Sequence, residues 1–424
     1  MDTRVAALLD ERMDLALDSA ARALEHGDVL AALRVVALRD DPAALALRGI
    51  ALAQLGELDR ARELLEQARR AFGPRQKVEQ ARCAVAEAEI ALVVRDLRAV
   101  GRALSGASVV LEAEGDRDNA AYARCLEVRR FLLLGQLEEA TELLDAVTSE
   151  SLPARVRVVA ELARAEIELR ALRTKLAEQA LNRAAAAARR AKVKALASEV
   201  EAARSTLEKT AARCIESGNE RPLRLREIER VYASGALVVD ALRKGVVDAH
   251  SSESLARRPI LFELLRVLAE VWPEDAARDA LIARAFGAKK PNASHRARLR
   301  VEMGRLRRAL ASLLEVRATP RGFLLLPARA RAVVVLSPPA EGEHARLLAL
   351  LSDGEAWSSS ALALAASSSQ RSVQRALQDL QALGRVHARG SGRARRWLAS
   401  PAEGFAPLLL LPGALPIGVD SRSP

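Results

Sequence analysis

Residues 47–74 read LRGIALAQLGELDRARELLEQARRAFGP, and the reading of this stretch decides the fold of half the chain. Small residues and leucines fall at Gly49, Leu52, Gly56, Ala61, Leu65 and Ala68. Looser versions surround it. HGDVLAALRVVALRDDP (26–42) precedes it, and RDLRAVGRALSGA (95–107), LLGQLEEATELLDAV (133–147) and RTKLAEQALNRAAAAA (173–188) follow. Their turn positions, 56, 95, 135 and 175, are spaced by 39, 40 and 40 residues. A fixed period of this kind marks a repeat architecture, in which one helix pair cannot bury its apolar face alone and stacks on its neighbours. Composition points the same way. Half the residues are hydrophobic but only 3% are aromatic, so the cores are built from Leu, Ala and Val, which favours close-packed helices over a sheet sandwich.

The 47–74 stretch resembles a tetratricopeptide repeat. In that family small residues let two antiparallel helices approach closely, and the glycine between them makes the turn. The other copies are longer than the roughly 34 residues usual there and lack its aromatics. The resemblance implies a helical-repeat (TPR-like) solenoid over residues 1–218 whose groove holds an unknown protein or peptide. The other reading of these repeats is a spacing scaffold or a homodimerising one. The basic stretch 173–196 reads as a solvated helix face.

Charge divides the chain. Residues 1–220 hold 34 Lys+Arg and 36 Asp+Glu, while residues 221–424 hold 32 and 19, a net of +13. A neutral front and a basic back predict that the back half meets a polyanion. Cys83, Cys125 and Cys214 are far apart and form no CxxC or Cys/His cluster, so they read as small apolar residues in a reducing cytoplasm. The N-terminal MDTRVAALLDERMD carries acids and no long apolar run, unlike a signal peptide. FAPLLLLPGALPIG (405–418) is too short and proline-broken to span a bilayer and reads as a strand or extended tail, or as a docking tail.

Residues 222–330 read differently. Short β-branched runs, ALVVDAL and GVVDAH, flank a turn at Arg243-Lys244-Gly245. The helices RPILFELLRVLAEVW, PEDAARDALIARAFG and RARLRVEMGRLRRALASLL follow, and VRATPRGFLLLP closes as a hairpin over Pro320-Arg321-Gly322. This order resembles the winged helix-turn-helix DNA-binding domain of OmpR/PhoB-type response regulators, carried by Arg258-Pro259, Leu261–Leu268, Leu281–Gly287 and RVEMGRLRRAL. Helical repeats stand where that family has its phosphoacceptor receiver, so aspartate phosphorylation is not carried over. On the third helix, Leu299, Met303, Leu306 and Leu310 form a stripe for burial. Ala297, Val301 and Gly304 lie opposite, flanked by Arg298, Arg300 and Arg305, which could bond guanine edges or phosphates. His295 and Arg296 read as DNA-backbone contacts, Lys289 and Lys290 as phosphate-neutralising loop residues, and Arg321 as a wing tip.

Residues 341–399 repeat the theme: EHARLLALLS, SSSALALAA and SSSQRSVQRALQDLQALG as three helices, then RVHARGSGRARRWLA as two strands about a Gly-Ser-Gly tip. Ser369 reads as the N-cap of the third helix and Gly384 as its stop. With Val373, Leu377 and Leu380 turned inward, Arg371, Ser372, Arg375 and Gln378 point out, and Arg389 and Arg393 crowd the strands. In outline this resembles small bacterial winged-helix repressors.

The histidines are scattered, and GxxxxGK[ST], GxSxG, HExxH and strand-helix GxGxxG motifs are missing from the sequence, so the reading is non-enzymatic, with no cofactor or metal. The fold expected is mainly α: a helical-repeat solenoid, two α+β winged helix-turn-helix domains and a tail over 400–424. The function expected is a cytoplasmic transcription regulator that binds double-stranded DNA, with no membrane partner. The alternative is an adaptor whose repeats and winged helices join proteins and never touch DNA.

Overall fold

A computed structural model describes residues 15–24, 27–94, 96–147, 152–288, 290–338, 343–351, 357–366, 368–390, 392 and 395–399. The expected tail over 400–424 lies outside these residues. Contacts divide the chain into two units, with the division between Ser205 and Thr206.

The first unit is helical: α1 (15–24), α2 (Val29–Val36), α3 (Pro42–Gln54), α4 (Leu58–Ala71), α5 (Lys77–Val93), α6 (Leu97–Leu104), α7 (Ala107–Ala113), α8 (Arg117–Leu134), α9 (Leu137–Ala146), α10 (Ala154–Arg170), α11 (Thr174–Ala191) and the start of α12 (Lys194–Glu208). Aspartates start many of them. Asp28, Asp41, Asp96 and Asp116 each accept a hydrogen bond from the amide three residues on, satisfying a donor the helix leaves free. Helices pair as α3 with α4, α5 with α6, α8 with α9 and α10 with α11, and neighbouring pairs touch through α5, α8 and α10.

The α3–α4 pair turns at Gly56, whose φ of +85° suits a residue without a side chain. Gly49 sets their separation, since a Cβ there would lie 2.9 Å from Leu65 Cγ and 3.1 Å from the Ala61 carbonyl oxygen. The α8–α9 turn is at Gly135, as the periodicity predicts. The turn expected near Lys175 comes earlier, at Leu172–Arg173, because Thr174 already begins α11. The inserted helix α7 lies between the second and third pairs.

The helices of a pair are not equivalent. α5, α8 and α10 are buried around most of their circumference, whereas α4, α6 and α9 bury one stripe each. Arg82, buried on α5, donates to Asp116 at 2.6 Å, and the half-buried Arg129 on α8 donates to Glu199 at 2.7 Å. Tyr122 bonds to Glu89, whose carboxyl burial pushes well above the usual range.

The second unit begins earlier than the expected residue 222. Strands β1 (Ala212–Glu216) and β2 (Asn219–Leu223), helix α13 (Leu225–Ala233), β3 (Leu237–Asp240), β4 (Gly245–Val247) and β5 (Ser252–Ser254) lead into α14 (Pro259–Glu270), β6 (Ala276–Ala277), α15 (Arg278–Phe286) and α16 (Ala293–Ala309). Then come β7 (Leu314–Ala318), β8 (Gly322–Pro327) and β9 (Val333–Ser337). One sheet runs β2-β1-β9-β3-β4-β5, with β9 parallel to β3 and antiparallel to β1. A module confined to 222–330 would omit β1 and β9 and cut through β2. Leu237, Val239, Val246, Val333 and Val335 share a core with α14, α15 and α16.

A three-stranded sheet, β6-β8-β7, closes the other side of that core. Gly322 is obligatory there: a Cβ would sit 1.7 Å from the Ala276 carbonyl oxygen. Farther on, α17 (Glu343–Leu351), α18 (Ser359–Ala365) and α19 (Gln370–Ala382) pack with β10 (Val386–Arg389) and β11 (Arg396–Ala399) around Leu347, Leu362, Leu377 and Trp397. Trp357 pairs with Trp397 through both backbone bonds, at 2.9 and 2.7 Å.

Two outcomes are expected. Gly49→Val should force α3 off α4 and lower the stability of the first unit by about 1–3 kcal/mol, read as an earlier urea midpoint by circular dichroism. Burial pushes the Cys83 and Cys125 thiols up to about 12 and raises that of Cys214. At pH 8 the native protein should therefore leave all three unlabelled by iodoacetamide until denaturant is added, since the thiolate is the reactive form.

Candidate nucleic-acid interface

Helix α16 starts at Asn292, whose side chain accepts from the His295 amide at 3.0 Å, and it is anchored by Leu299, Met303, Leu306 and Leu310, each at most 1% exposed. That stripe fixes which residues face out. Arg296, Arg298, Arg300 and Arg305 are exposed, as are Ala297 and Val301, and the absent side chain of Gly304 leaves open space. The face is positive, since Glu302, the acid nearest its centre, is buried and paired to Arg305 at 2.8 Å.

The arginines differ in freedom. The Arg298 guanidinium lies 4.5 Å from the Phe286 ring centre, a cation–π contact that holds its direction. Arg296 and Arg300 make no ion pair among the described residues. His295 stacks on the same phenylalanine, with ring centres 6.5 Å apart, and its Nδ1 is buried. The ring thus braces the helix start, where the sequence predicts a DNA-backbone contact. Lys290 is exposed ahead of the helix, and Lys289 lies outside the described residues.

Arg321 is exposed at the β7–β8 turn and pairs with Asp275 at 3.5 Å. Sequence reasoning missed what holds that turn. Arg278, opening α15, donates to the carbonyls of Pro320 and Thr319 at 2.7 and 2.8 Å and lies over Phe323, while the Thr319 hydroxyl donates to Asp275 at 2.5 Å. A periodicity argument cannot find such a residue, because its partners lie more than 40 positions away.

On α19, Val373, Leu377 and Leu380 are buried, and Arg371, Arg375 and Gln378 are exposed. Ser369 caps the helix by accepting from the Ser372 amide at 3.1 Å, and its own hydroxyl donates to that of Ser372 at 2.9 Å. Ser372 is half-buried and bound into the cap rather than standing clear on the face with its neighbours. Arg389 is exposed at the end of β10, opposite Arg396, and Arg393 lies outside the described residues. Arg395 stacks on Trp397 at 4.5 Å and reaches Gln381, joining the hairpin to α19.

Among the described residues there is no cluster of His, Cys, Asp or Glu that could hold a metal, and no helix is long and apolar enough to cross a membrane. Comparison with known protein families, curated proteins and solved structures returns no match for this chain.

Ser369→Ala should remove the cap of α19 and cost about 1 kcal/mol. A lower melting temperature of the region 343–399, followed through Trp397 and Trp357 fluorescence, would register it.

Proposed function

We propose that the chain is a DNA-binding transcription regulator. Its helical first half takes a protein or peptide, and two winged helix-turn-helix modules read the duplex. The observation that carries this reading is the outward face of α16: four exposed arginines around Ala297 and Val301, on a helix whose opposite side is sealed into a core. In this reading α15 and α16 are the helix-turn-helix, and the β7–β8 hairpin is the wing. Arginine offers bidentate bonds to guanine or charge to phosphate, and Val301 offers an apolar contact for a thymine methyl. The resemblance to the OmpR/PhoB-type domain and the +13 balance of residues 221–424 support it.

The α17–α19 module is the second reader, with Arg371, Arg375 and Gln378 as its reading head. Its face is less charged than that of α16, and its role is to lengthen the site. Two linked readers gain through effective concentration.

Anisotropy of labelled random-sequence duplex DNA, titrated with the full chain across a salt series, tests this. Expected is binding that weakens steeply with salt, with Arg298→Ala/Arg305→Ala and Arg371→Ala/Arg375→Ala each costing about tenfold and flattening the salt slope by about 1 per lost phosphate contact. Loss in one variant alone would leave one reader and one protein-contact module. No binding at low salt would replace the regulator with the adaptor reading.

A further inference from the structure

The first 220 residues carry slightly more acid than base, yet one groove among them is basic. It lies between α4 and α6, with one side of α5 as its floor and the Ser105–Ala107 turn at its edge, and has a volume of about 640 Å3. Its lining carries Arg62, Arg69 and Arg70 from α4, Lys77 from α5 and Arg102 from α6, against Glu66 on α4 and Glu87 on α5. Both acids are already engaged, Glu66 by Arg70 at 3.0 Å and Glu87 by Arg69 at 2.8 Å. Arg62, Lys77 and Arg102 are exposed and have no ion pair among the described residues. Five cations face one hollow in which two are neutralised. Such an arrangement repels itself until an anion enters.

The shape of the groove selects the anion. Its floor carries the small side chains of Ala81, Ala84 and Ala91 beside Gln80 and the Glu87 carboxylate that Arg69 holds, so a backbone can come down close to α5 at the alanines. Among the described lining residues there is no aromatic ring on which a base could stack, which disfavours a nucleotide. Arg62 and Arg69 stand seven positions apart on α4, about 10 Å along a helix. A chain extended in polyproline II form rises about 3.1 Å per residue and turns once in three, so its side chains three positions apart lie on one side, about 9 Å from each other.

We propose that this groove binds an acidic peptide segment of a partner protein, in extended form, with carboxylates three positions apart. The proposal rests on the reading that the helical half takes a protein or peptide; it does not depend on DNA binding.

The test uses the full chain and a fluorescein-labelled peptide with glutamate at every third position, followed by anisotropy at low salt. A version with glutamine at those positions serves as comparison. Two variants attack the groove separately: Arg62→Glu/Arg102→Glu reverses charge at exposed positions, and Ala84→Gln fills the floor without changing charge. Arg298→Glu/Arg305→Glu alters the α16 face as a control. Expected is that either groove variant weakens the glutamate peptide by about tenfold or more. The α16 variant should leave it unchanged, the glutamine peptide should bind far more weakly, and duplex DNA should not displace the glutamate peptide.

If both peptides bind alike and the groove variants change nothing, the helical half takes peptide elsewhere and the groove assignment alone falls. Displacement by DNA, or loss in the α16 variant, would put the peptide on the DNA-facing arginines and overturn the proposal. So would tripolyphosphate competing as strongly as the peptide, which would make the ligand a small polyanion. Binding by neither peptide would remove the peptide reading of the helical half as well.

Discussion

Strand β9 has to be paired along both edges, because Val333, Val334, Val335 and Leu336 are buried on both faces and their peptide groups have no water to turn to. Its partners are β1 on one side and β3 on the other. Arg266 on α14 also reaches the Ser337 hydroxyl at 3.3 Å, and valines 333 and 335 enter the same core as Leu264, Leu299 and Leu306. The direction in which α16 presents its arginines is therefore fixed through α14 by a strand remote in sequence. A polar substitution at Val335 would act on the arginine face without touching it.

The helical unit meets a different constraint. With few aromatics it gains stability from closeness rather than from large side chains, and Gly49, Ala61 and Ala68 supply that closeness between α3 and α4. Close packing brings polar side chains into the interior. Arg82 and Asp116 are paired with little exposure, and removing one partner of such a pair would strand the other at a cost of about 3–5 kcal/mol. The Arg82–Asp116 pair ties α5 to the start of α8 across 34 positions of chain. The cations left over face outward, and those around the α4–α6 groove stand out for that reason.

Sequence patterns were sufficient where the physics is local. Helical stripes such as Leu299–Met303–Leu306 and Val373–Leu377–Leu380, the Ser369 cap and the turns at Gly56 and Gly135 all depend on residues within a turn or two. They failed where partners are distant. The run AVVVLS at 332–337 falls between the expected modules 222–330 and 341–399, although three valines in sequence carry the mark of a buried strand. ARCIESGNERPL, a hairpin with Ser217 and Gly218 both at positive φ, straddles the expected boundary between 1–218 and 222–330. For the candidate site, exposure of Arg298, Arg300, Arg305, Arg371 and Arg375 follows from the stripes, but the inward turn of His295 and the engagement of Ser372 depend on side-chain neighbours that periodicity does not describe.

The placement of β9 also sets a timetable for biosynthesis. Arg213 on β1 bonds to the Pro338 carbonyl across 125 positions of chain, so the sheet cannot close until that length has left the ribosome. The contacts of the first unit run mostly between helices adjacent in sequence, so its pairs can stack one on the next as they emerge. During the interval β1 and β3 wait with open edges, the condition under which strands find wrong partners. The sheet of the second unit is thus completed only when β9 arrives, however early the first half has folded.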